Sequence, residues 1–432
     1  MANVVHVLRR LILLTVFLSG ITGGVFFAED GIVLSSGASL SGKVRLLPQQ
    51  KISVDVQSGN RTLTRSYPLD RVKSYTLNGQ TFDAATGQII DAAGGGQQKS
   101  AAELQALIRT AGSEPPEWLE DLQPRFPDGL DFSWPQPPGG PWDSSKNIGQ
   151  FVWDRVNPNP SRWREGVALM HEVMRRNPDP QIQQRAMRTL GGMYHNLHQD
   201  YARAAWWFLQ SGLDPRGSEF PQAVVSLADC YLQLGGKSVA LEIVRNMPAR
   251  PYSAIKLLGD AGETDEAVRL GEQFAKTGQA STSLLYAGDA CRVAGRLEQA
   301  EEFYRRARQA AIDASDADKP HRQRDRRRAE ASIAVVQHLQ LSPDQVADGT
   351  YRAASPGYEA DVEVEVILQG GKMQSVRVTQ HREKQFYSSI AETPARILRK
   401  QSVNGIDATT GATITSEAII NATAKAMLQG AK

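Results

Sequence analysis

The residues best suited to chemistry lie in one short stretch near the C-terminus, where residues 407–416 read D-A-T-T-G-A-T-I-T-S. Apolar residues follow at helical spacing, so this stretch is predicted to open a helix. Thr415 or Ser416 would be its N-cap, with Glu417 in its first turn. The backbone N–H groups at the start of a helix lack intrahelical acceptors, and they suit a phosphate group. Taken alone, the same residues also fit a capped helix after a polar loop.

The longer pattern of this stretch, D-x-x-(S/T)-G-A-T-x-(S/T), resembles the signature of the FMN-binding domain family. That family includes the C subunit of the sodium-pumping NADH:quinone oxidoreductase and the G subunit of the Rnf complex. The resemblance implies that FMN is the cofactor and that a phosphoester joins it to Thr413. It also implies that a dedicated flavin transferase takes FMN from FAD and attaches it. The candidate cofactor-binding residues are therefore Asp407, Thr410, Gly411, Ala412, Thr413 and Thr415.

The resemblance extends over residues 348–430, where D-G-T-Y, G-Y, V-x-V-x-V, G-G-K, V-x-V-x-x-H and Q-S follow in family order. Alternating apolar residues on both sides of Gly370 and Gly371 predict a hairpin with one buried face. A helix is expected over residues 386–400, and Pro394 lies in its first turn or breaks it in two. An antiparallel sheet with segregated helices makes residues 348–432 an α+β domain.

One position departs from the family. Many relatives carry E-T-P-G after the histidine, where the backbone approaches the isoalloxazine ring, whereas this chain continues from His381 with R-E-K-Q-F-Y. The surroundings and the potential of the flavin stay open at this point. The attachment loop itself is intact, and the small residues Gly411 and Ala412 leave the Thr413 hydroxyl uncrowded. Asp407 either accepts hydrogen bonds from loop amides or orients that hydroxyl.

Residues 147–341 are predicted to be helical and repetitive. Three units each end a helix at a glycine and continue with a second helix, and these glycines are Gly235, Gly262 and Gly295. The first two glycines are 27 residues apart and the last two are 33 apart, compared with about 34 residues in a tetratricopeptide repeat. The region therefore resembles a tetratricopeptide solenoid, in which stacked helix pairs bury a shared face and dock a protein partner.

Two further modules precede the repeats. Residues 31–82 alternate apolar and polar side chains over five short segments and include the hairpin signal Asn78-Gly79, which predicts a small β barrel or SH3-like module. Residues 83–146 read as a Gly/Pro/Trp-rich linker. Because disordered segments are poor in aromatic residues, the three tryptophans of this linker predict an ordered path across the helical domain. The alternative is an exposed ligand for a proline-binding domain.

Residues 1–28 contain Arg9 and Arg10 followed by an apolar run. This pattern is typical of a secretory signal peptide or of an uncleaved signal anchor. Cleavage after Ala28 would place the bulky Phe26 where a small residue is preferred, and the run is at the lower limit for spanning a bilayer. Both alternatives place the rest of the chain outside the cytoplasm, in the periplasm or cell envelope, and the second anchors it to the inner membrane.

Other features of the sequence favour ordinary structural roles. The net charge of +2 gives no argument for a nucleic-acid partner. The basic run at residues 321–328 is interpreted as a solvated helix face. His195 and His198 lack a third ligand at matching spacing, so a polar surface pair is expected and no metal site is assigned. Cys230 and Cys291 are expected to be buried free thiols.

These patterns favour an exported or membrane-anchored flavoprotein that transfers electrons between redox partners and uses its helical repeats for docking. Apart from the flavin motif, the sequence contains no substrate-specific acid–base constellation. No catalytic residue is therefore assigned, and an electron-transfer protein is favoured over a self-sufficient oxidoreductase. Two alternatives stay open. One is a cell-envelope scaffold with a weak or vestigial FMN site, and the other is a flavin-dependent reductase of an exported substrate.

Overall fold

The computed structural model of the protein describes residues 31–34, 39–47, 51–58, 61–77, 80–84, 99–116, 118–217, 219–383, 388–408 and 412–432. The predicted signal segment at residues 1–28 and two residues of the candidate site, Thr410 and Gly411, lie outside these ranges. The chain divides into two compact units, Met1–Thr81 and Phe82–Lys432.

The first unit is built from short β-strands. They are β1 (Gly31–Leu34), β2 (Ser39–Ser41), β3 (Lys43–Leu47), β4 (Lys51–Ser58), β5 (Arg61–Pro68), β6 (Val72–Leu77) and β7 (Gln80–Asp83). Two sheets result, with strand orders β2-β1-β6-β7 and β3-β4-β5. Alternate apolar side chains such as Ile32, Val44 and Val54 are buried, as expected for strands with one covered face. The predicted small N-terminal β region is confirmed, with seven described strands where the pattern indicated five.

The second unit begins with helices. They are α1 (Ala101–Ser113), α2 (Trp118–Asp121), α3 (Ile148–Phe151), α4 (Trp163–Arg176), α5 (Pro180–Met193), α6 (Tyr201–Gln210), α7 (Pro221–Gln233), α8 (Lys237–Arg245), α9 (Ala254–Asp260), α10 (Thr264–Phe274), α11 (Ala280–Val293), α12 (Leu297–Asp313) and α13 (Pro320–Ile333). From α4 to α13, most helices pack against the next helix in the chain. This helical middle region is confirmed.

The helices α7, α9 and α11 each end at the glycine that the sequence pattern singled out. Gly235, Gly262 and Gly295 have φ angles of 88°, 76° and 75°. An L-residue adopts this left-handed conformation only at a cost, and glycine adopts it freely, which explains why the helices stop there. The tetratricopeptide assignment of the whole region stays a prediction.

The Pro- and Trp-rich segment before α4 lies on the helices. Arg185 of α5 places its guanidinium 4.1 Å from the centre of the Trp134 ring, and Trp134 is buried. Asn177, just after α4, donates a hydrogen bond of 2.8 Å to the Phe132 carbonyl. Cation–π contacts and burial of an aromatic side chain fix this part of the segment to the helical region.

The C-terminal part contains a three-stranded antiparallel sheet of order β10-β9-β8, formed by β8 (Gly349–Pro356), β9 (Asp361–Gln369) and β10 (Lys372–Gln380). Gly370 and Gly371, with φ of 60° and 69°, make the predicted hairpin turn. Two helices complete it, α14 (Ser388–Lys400) and α15 (Thr413–Leu428), and Pro394 lies within α14 without ending it. This sheet with segregated helices confirms the predicted α+β region.

Helix α15 is buried on nearly all sides because it lies between the sheet and the helical region. It packs on β8, β9 and α14, and on α13 of the helical region. Its apolar residues Ile419, Ile420, Ala424 and Met427 are buried, together with polar ones such as Glu417. The helical region and the C-terminal sheet therefore share one core within the second unit. In the part of the chain that the structure describes, no helix is long and apolar enough to span a membrane.

Candidate functional site

The start of α15 defines the candidate site. The helix begins at Thr413 with Ala412 as its N-cap, and no side chain caps it. The prediction that Thr415 or Ser416 caps the helix is therefore wrong. Both are buried inside the helix, where the Thr415 hydroxyl donates to a carboxylate oxygen of Glu383 and the Ser416 amide donates to the Ala412 carbonyl. Among the described residues, no side chain accepts a hydrogen bond from the first N–H groups of α15.

Thr413 lies where the C-terminal domain meets the helical region. With Asp407 and Ala408 it lines a narrow cleft whose opposite wall comes from α9 and α11. The cleft has a volume of about 10 Å³, which is room for about one water molecule. Of the predicted site residues, Asp407 and Thr413 line this cleft, Ala412 is buried beside Thr413, and Thr415 turns away toward Glu383.

Asp407 is held by a lysine from the helical region. Lys256 Nζ lies 3.2 Å from Asp407 Oδ1 and 2.6 Å from Asp260 Oδ2. The same Asp407 oxygen accepts a 2.7 Å hydrogen bond from the Ala408 amide. Of the two roles considered for Asp407, the structure thus contains the hydrogen bond to a loop amide.

The pKa values of the two carboxyl groups around Lys256 shift in opposite directions. Burial raises the pKa of Asp260 well above its ordinary value, and the negative charge of Asp407 raises it further. Burial also acts to raise the pKa of Asp407, but Lys256 and a hydrogen bond with Asp260 outweigh it, and the net pKa is lowered. Asp407 is therefore the more acidic of the two groups. Opposite shifts of this kind are typical of two carboxyl groups that lie close together.

Arg292 of α11 is the second helical residue that contacts this segment. Its Nη1 donates a 2.8 Å hydrogen bond to the carbonyl of Ile406, one residue before Asp407. The side chain is buried and lines the same cleft as Thr413. Lys256 and Arg292 thus tie residues 406 and 407 to two different helices of the middle region.

A buried ion pair joins α15 to α13. Arg328 Nη2 lies 2.8 Å from Glu417 Oε2, and the two side chains are 2% and 6% exposed. The expectation that Glu417 lies in the first turn and favours the helix dipole is wrong, because α15 begins at Thr413 and has no acidic residue in its first turn. The guanidinium of Arg328 is instead the main partner of this carboxylate.

The basic run at residues 321–328 is a solvated face only in part: Arg326 and Arg327 are exposed as expected, whereas Arg322 and Arg328 are buried. Arg328 lies against Glu417, Arg327 pairs with Asp361 at the start of β9, and Arg324 lies 4.2 Å from the centre of the Tyr358 ring. These three side chains face the C-terminal domain because α13 forms part of its boundary. Arg322 instead binds Asp316 upstream at 2.9 Å.

Glu383 is a site residue that sequence analysis missed. Its Oε1 accepts hydrogen bonds from the amides of Tyr358 (2.9 Å) and Glu359 (3.1 Å), and its Oε2 accepts from Thr415. A Cβ on Gly357 would lie 2.5 Å from Glu383 Oε1, so the G-Y pair needs its glycine. Glu383 fastens the turn before β9 to the first turn of α15.

Helix α14 also contacts the start of α15. Thr393 is buried and donates a 3.2 Å hydrogen bond to the Ser416 hydroxyl of α15. Glu392 accepts a 3.2 Å hydrogen bond from Gln199 of the helical region. These residues belong to an E-T-P triplet within α14 that continues with Ala395, so the E-T-P-G segment that many relatives carry directly after the histidine is still replaced in this chain.

The histidine pair is not exposed, and the expectation of a polar surface pair is wrong. His195 Nε2 lies 2.7 Å from Asp229 Oδ2 in the interior, while the His198 ring packs 6.1 Å from the Trp118 ring. They diverge because the turn that carries them is a π-helix, with wider spacing than an α-helix. Among the described side chains, no group of three His, Cys, Asp or Glu residues is arranged to hold a metal ion. Both cysteines are buried and free, as expected.

A repeated position in the helical units points toward these contacts. Asp229, Lys256 and Asp289 each lie six residues before the glycine that ends their helix. Lys256 and Asp289 line the cleft beside Thr413, and Asp229 binds His195. An ionisable residue at the same place in three helical units was visible in the sequence, and two of the three residues line the cleft beside Thr413.

Comparison with known proteins identifies the C-terminal region. Residues 357–428 match the FMN-binding domain family. An uncharacterized protein of Treponema pallidum (strain Nichols) is 33% identical over 90 residues, which cover 20% of this chain and 25% of that protein. The chain thus spans about a quarter of the length of this curated relative. Residues 357–428 are an FMN-binding domain, and FMN is its cofactor.

Proposed function

We propose that the chain is a flavoprotein that carries FMN in a phosphoester to Thr413 and transfers electrons between protein partners outside the cytoplasm. The observation that carries the proposal is the uncapped start of α15 at Thr413. Within the described part of the chain, the Thr413 hydroxyl has no hydrogen-bond partner, so it is available as an acceptor. The match to the FMN-binding domain family supplies the identity of the group.

The residues at this position fit the phosphate end of FMN. Helix α15 has 16 residues, so its N-terminus offers both unpaired N–H groups and the positive end of a helix dipole to an anion. Ala412 is small and places no side chain over Thr413. When bound, FMN supplies the redox chemistry, and the chain supplies attachment and surroundings.

Attachment needs little chemistry from the chain itself. The Thr413 oxygen forms a bond to the phosphorus of the FMN half of FAD, the P–O bond of the pyrophosphate breaks, and AMP leaves while the hydroxyl proton is released. An external flavin transferase would catalyse this step. The chain must hold the hydroxyl at the end of a rigid helix, and the buried contacts of Thr415 and Glu417 anchor that end.

The charged groups around Thr413 support a carrier over a self-sufficient enzyme. Lys256, Asp260 and Asp407 are engaged with one another, and Arg292 holds a backbone carbonyl. A catalytic acid or base must be able to reach a substrate proton, and these groups are committed to holding the loop. The helical repeats would then dock the redox partners, and the apolar run at residues 11–28 would direct export or anchoring.

The test is expression of the full chain with a flavin transferase of this family, followed by intact mass measurement and in-gel flavin fluorescence. The wild type is expected to gain one FMN, Thr413→Ala none, and Thr410→Ala, as the matched control, one. The same mass reports whether residues 1–28 are cleaved. A wild-type chain that stays unmodified beside an active transferase would refute covalent attachment and favour the scaffold alternative.

A second measurement separates a carrier from a reductase. FMN-loaded protein is reduced chemically and mixed with small-molecule acceptors or with a redox protein, and flavin reoxidation is followed by absorbance. A carrier is expected to exchange electrons with protein partners and to turn over no small acceptor catalytically. Multiple turnovers of a small acceptor by the purified chain alone would contradict the proposal and indicate a reductase.

A further inference from the structure

Arg292 is a buried cation that, among the described ion pairs, approaches a carboxylate only at the outer limit of such a contact. Its side chain is 4% exposed, and the nearest carboxylate oxygen in an ion pair, Asp289 Oδ1, is 3.8 Å from its Nε. That oxygen also accepts a 2.8 Å hydrogen bond from the Tyr304 hydroxyl. The hydrogen bond that Arg292 makes to a described residue goes to the neutral carbonyl of Ile406. A buried guanidinium normally requires a close, well-hydrogen-bonded anion.

The other two acids of the cleft pair with Lys256. Its Nζ lies 2.6 Å from Asp260 Oδ2 and 3.2 Å from Asp407 Oδ1. Burial and the charge of Asp407 raise the pKa of Asp260, which disfavours its charged form. The cleft between Arg292 and Thr413 has room for about one oxygen-sized atom.

We propose that Arg292, on α11 of the helical region, binds an oxygen of the FMN phosphoester on Thr413, so that the helical region completes the flavin site. The inference rests on the proposed attachment at Thr413. A phosphodiester keeps one negative charge and accepts the paired N–H donors of a guanidinium well. Arg292 lies outside residues 357–428, so the site would combine the FMN-binding domain with a residue contributed by the repeats.

The proposal gives Arg292 a role that Lys256 does not share. Lys256 fixes the loop by pairing with Asp407, and it also contacts both carboxyl oxygens of Asp260. Arg292 is held by the Ile406 carbonyl and lines the same cleft as Thr413. A phosphate oxygen would fill the cleft and give Arg292 a closer anion than Asp289, while the flavin ring is too large to enter it.

The test uses the FMN-loaded full chain and ³¹P NMR of its phosphodiester. In the wild type, the phosphorus resonance is expected to shift between native and denatured protein, and FMN loading is expected to raise the thermal midpoint. Arg292→Met should lose most of both effects, and Arg292→Lys should keep part of them. Arg296→Met is the matched control, because Arg296 pairs with Asp265 on the exposed surface of the same region.

Each variant is compared with its own unloaded form, so a general loss of stability cancels. If Arg292→Met does not fold, Arg292→Lys decides, since it keeps the charge and loses the paired donors. A native ³¹P shift and a loading effect that equal those of the wild type in Arg292→Met and Arg292→Lys would overturn the inference. A wild-type chain that gains no FMN mass would instead overturn the proposed function, so the two failures are distinguishable.

Discussion

At the scale of single residues, Lys256 links the attachment loop to the helical region. It is the one cation that contacts both Asp260 and Asp407 among the described ion pairs, and its side chain is mostly buried. Although burial acts to raise the pKa of Asp407, the positive charge of this lysine lowers that pKa and so favours the ionised form. A change at Lys256 therefore acts on the loop without touching Thr413.

Replacement of Lys256 by Met should destabilise the second unit by about 2 kcal/mol, because a buried carboxylate loses a charge-assisted partner. Lys237→Met is the control. Lys237 pairs with Glu263 at 3.0 Å in a more exposed setting, where such a pair contributes about 1 kcal/mol or less. Denaturant titration of both variants measures the difference. Equal losses in the free energy of unfolding of the two variants would show that the contact of Lys256 with Asp407 adds no more stability than an exposed ion pair.

His171 gives a prediction about pH. Burial lowers its pKa from 6.5 to about 4, and its ring packs at 5.3 Å from the Trp207 ring. Below pH 6.5, His171 therefore binds a proton in the unfolded chain and stays unprotonated in the native chain. This group contributes stability that is present above pH 6.5 and is lost as the pH falls toward 4.

The contribution of His171 to the free energy of unfolding should fall by about 3 kcal/mol between pH 6.5 and 4, given about 1.36 kcal/mol per unit of pKa. His171→Leu should flatten the fall in the free energy of unfolding between pH 6.5 and 4. Chemical unfolding at several pH values measures this pH dependence, and a variant in which the exposed His321 is replaced serves as the control. A slope that is unchanged in His171→Leu would exclude this histidine as its source.

At the scale of elements, the contact between α13 and α15 decides how the attachment helix is held. Arg328 and Glu417 form it, with support from Asp325, which lies 3.3 Å from Arg328 and also accepts hydrogen bonds from Ser281 and Thr282. A further hydrogen bond of 3.2 Å joins Asn421 to Ser332. The first half of α15 is therefore fastened to the helical region by polar contacts that water cannot reach.

Arg328→Met should destabilise the second unit by about 3 to 5 kcal/mol, because it leaves the Glu417 carboxyl buried without its cation. The double variant Arg328→Met, Glu417→Leu should recover much of that loss, since no unpaired charge is left. Arg305→Met, which breaks an exposed pair with Glu301 on α12, is the control and should have little effect. If the double variant is no more stable than Arg328→Met alone, the buried unpaired charge does not explain the loss.

Several elements could be predicted from local residue chemistry alone. The helix ends at Gly235, Gly262 and Gly295 followed from the need for a left-handed residue, and the β8–β10 hairpin followed from alternation around Gly370 and Gly371. The start of α15 was misplaced because Thr415 and Ser416 resemble caps, whereas their actual partners lie in other elements. Glu383 and Thr393 supply those partners, at 32 and 23 residues from them in the chain.

At the scale of the whole molecule, the sequence predicted the secondary structure of the C-terminal domain, but it did not predict which residues of the helical region pack against that domain. Lys256 meets Asp407 from 151 residues away, and Arg328 meets Glu417 from 89. Charged residues at such separations look like solvated surface when taken alone, which is how the run at 321–328 was interpreted. The helical region and the FMN-binding domain lie within one compact unit and pack against each other.

The packing of the helical region against the C-terminal domain predicts the effect of truncating the chain. A chain of residues 99–432 keeps the cap Ser100 of α1 and the contact of Lys99 with the Leu234 carbonyl, and it removes no contact described within the helical and C-terminal regions. It should unfold with the midpoint of the second unit in the full chain and should gain FMN equally well. A chain of residues 346–432 exposes the α15 face that carries Glu417, Asn421 and its apolar neighbours, and it loses Lys256 and Arg292.

The shorter chain should therefore lack a cooperative thermal transition and should gain FMN at least about tenfold more slowly, the factor that corresponds to about 1.4 kcal/mol of lost positioning. Calorimetry and intact mass after a timed reaction with FAD and transferase measure both properties on the two chains. Adding residues 99–345 as a separate chain tests whether the surface can be restored in trans. Cooperative unfolding of 346–432 with FMN uptake at the rate of the full chain would show that the domain is complete without the helices, because every contact contributed by α9, α11 and α13 would then be dispensable.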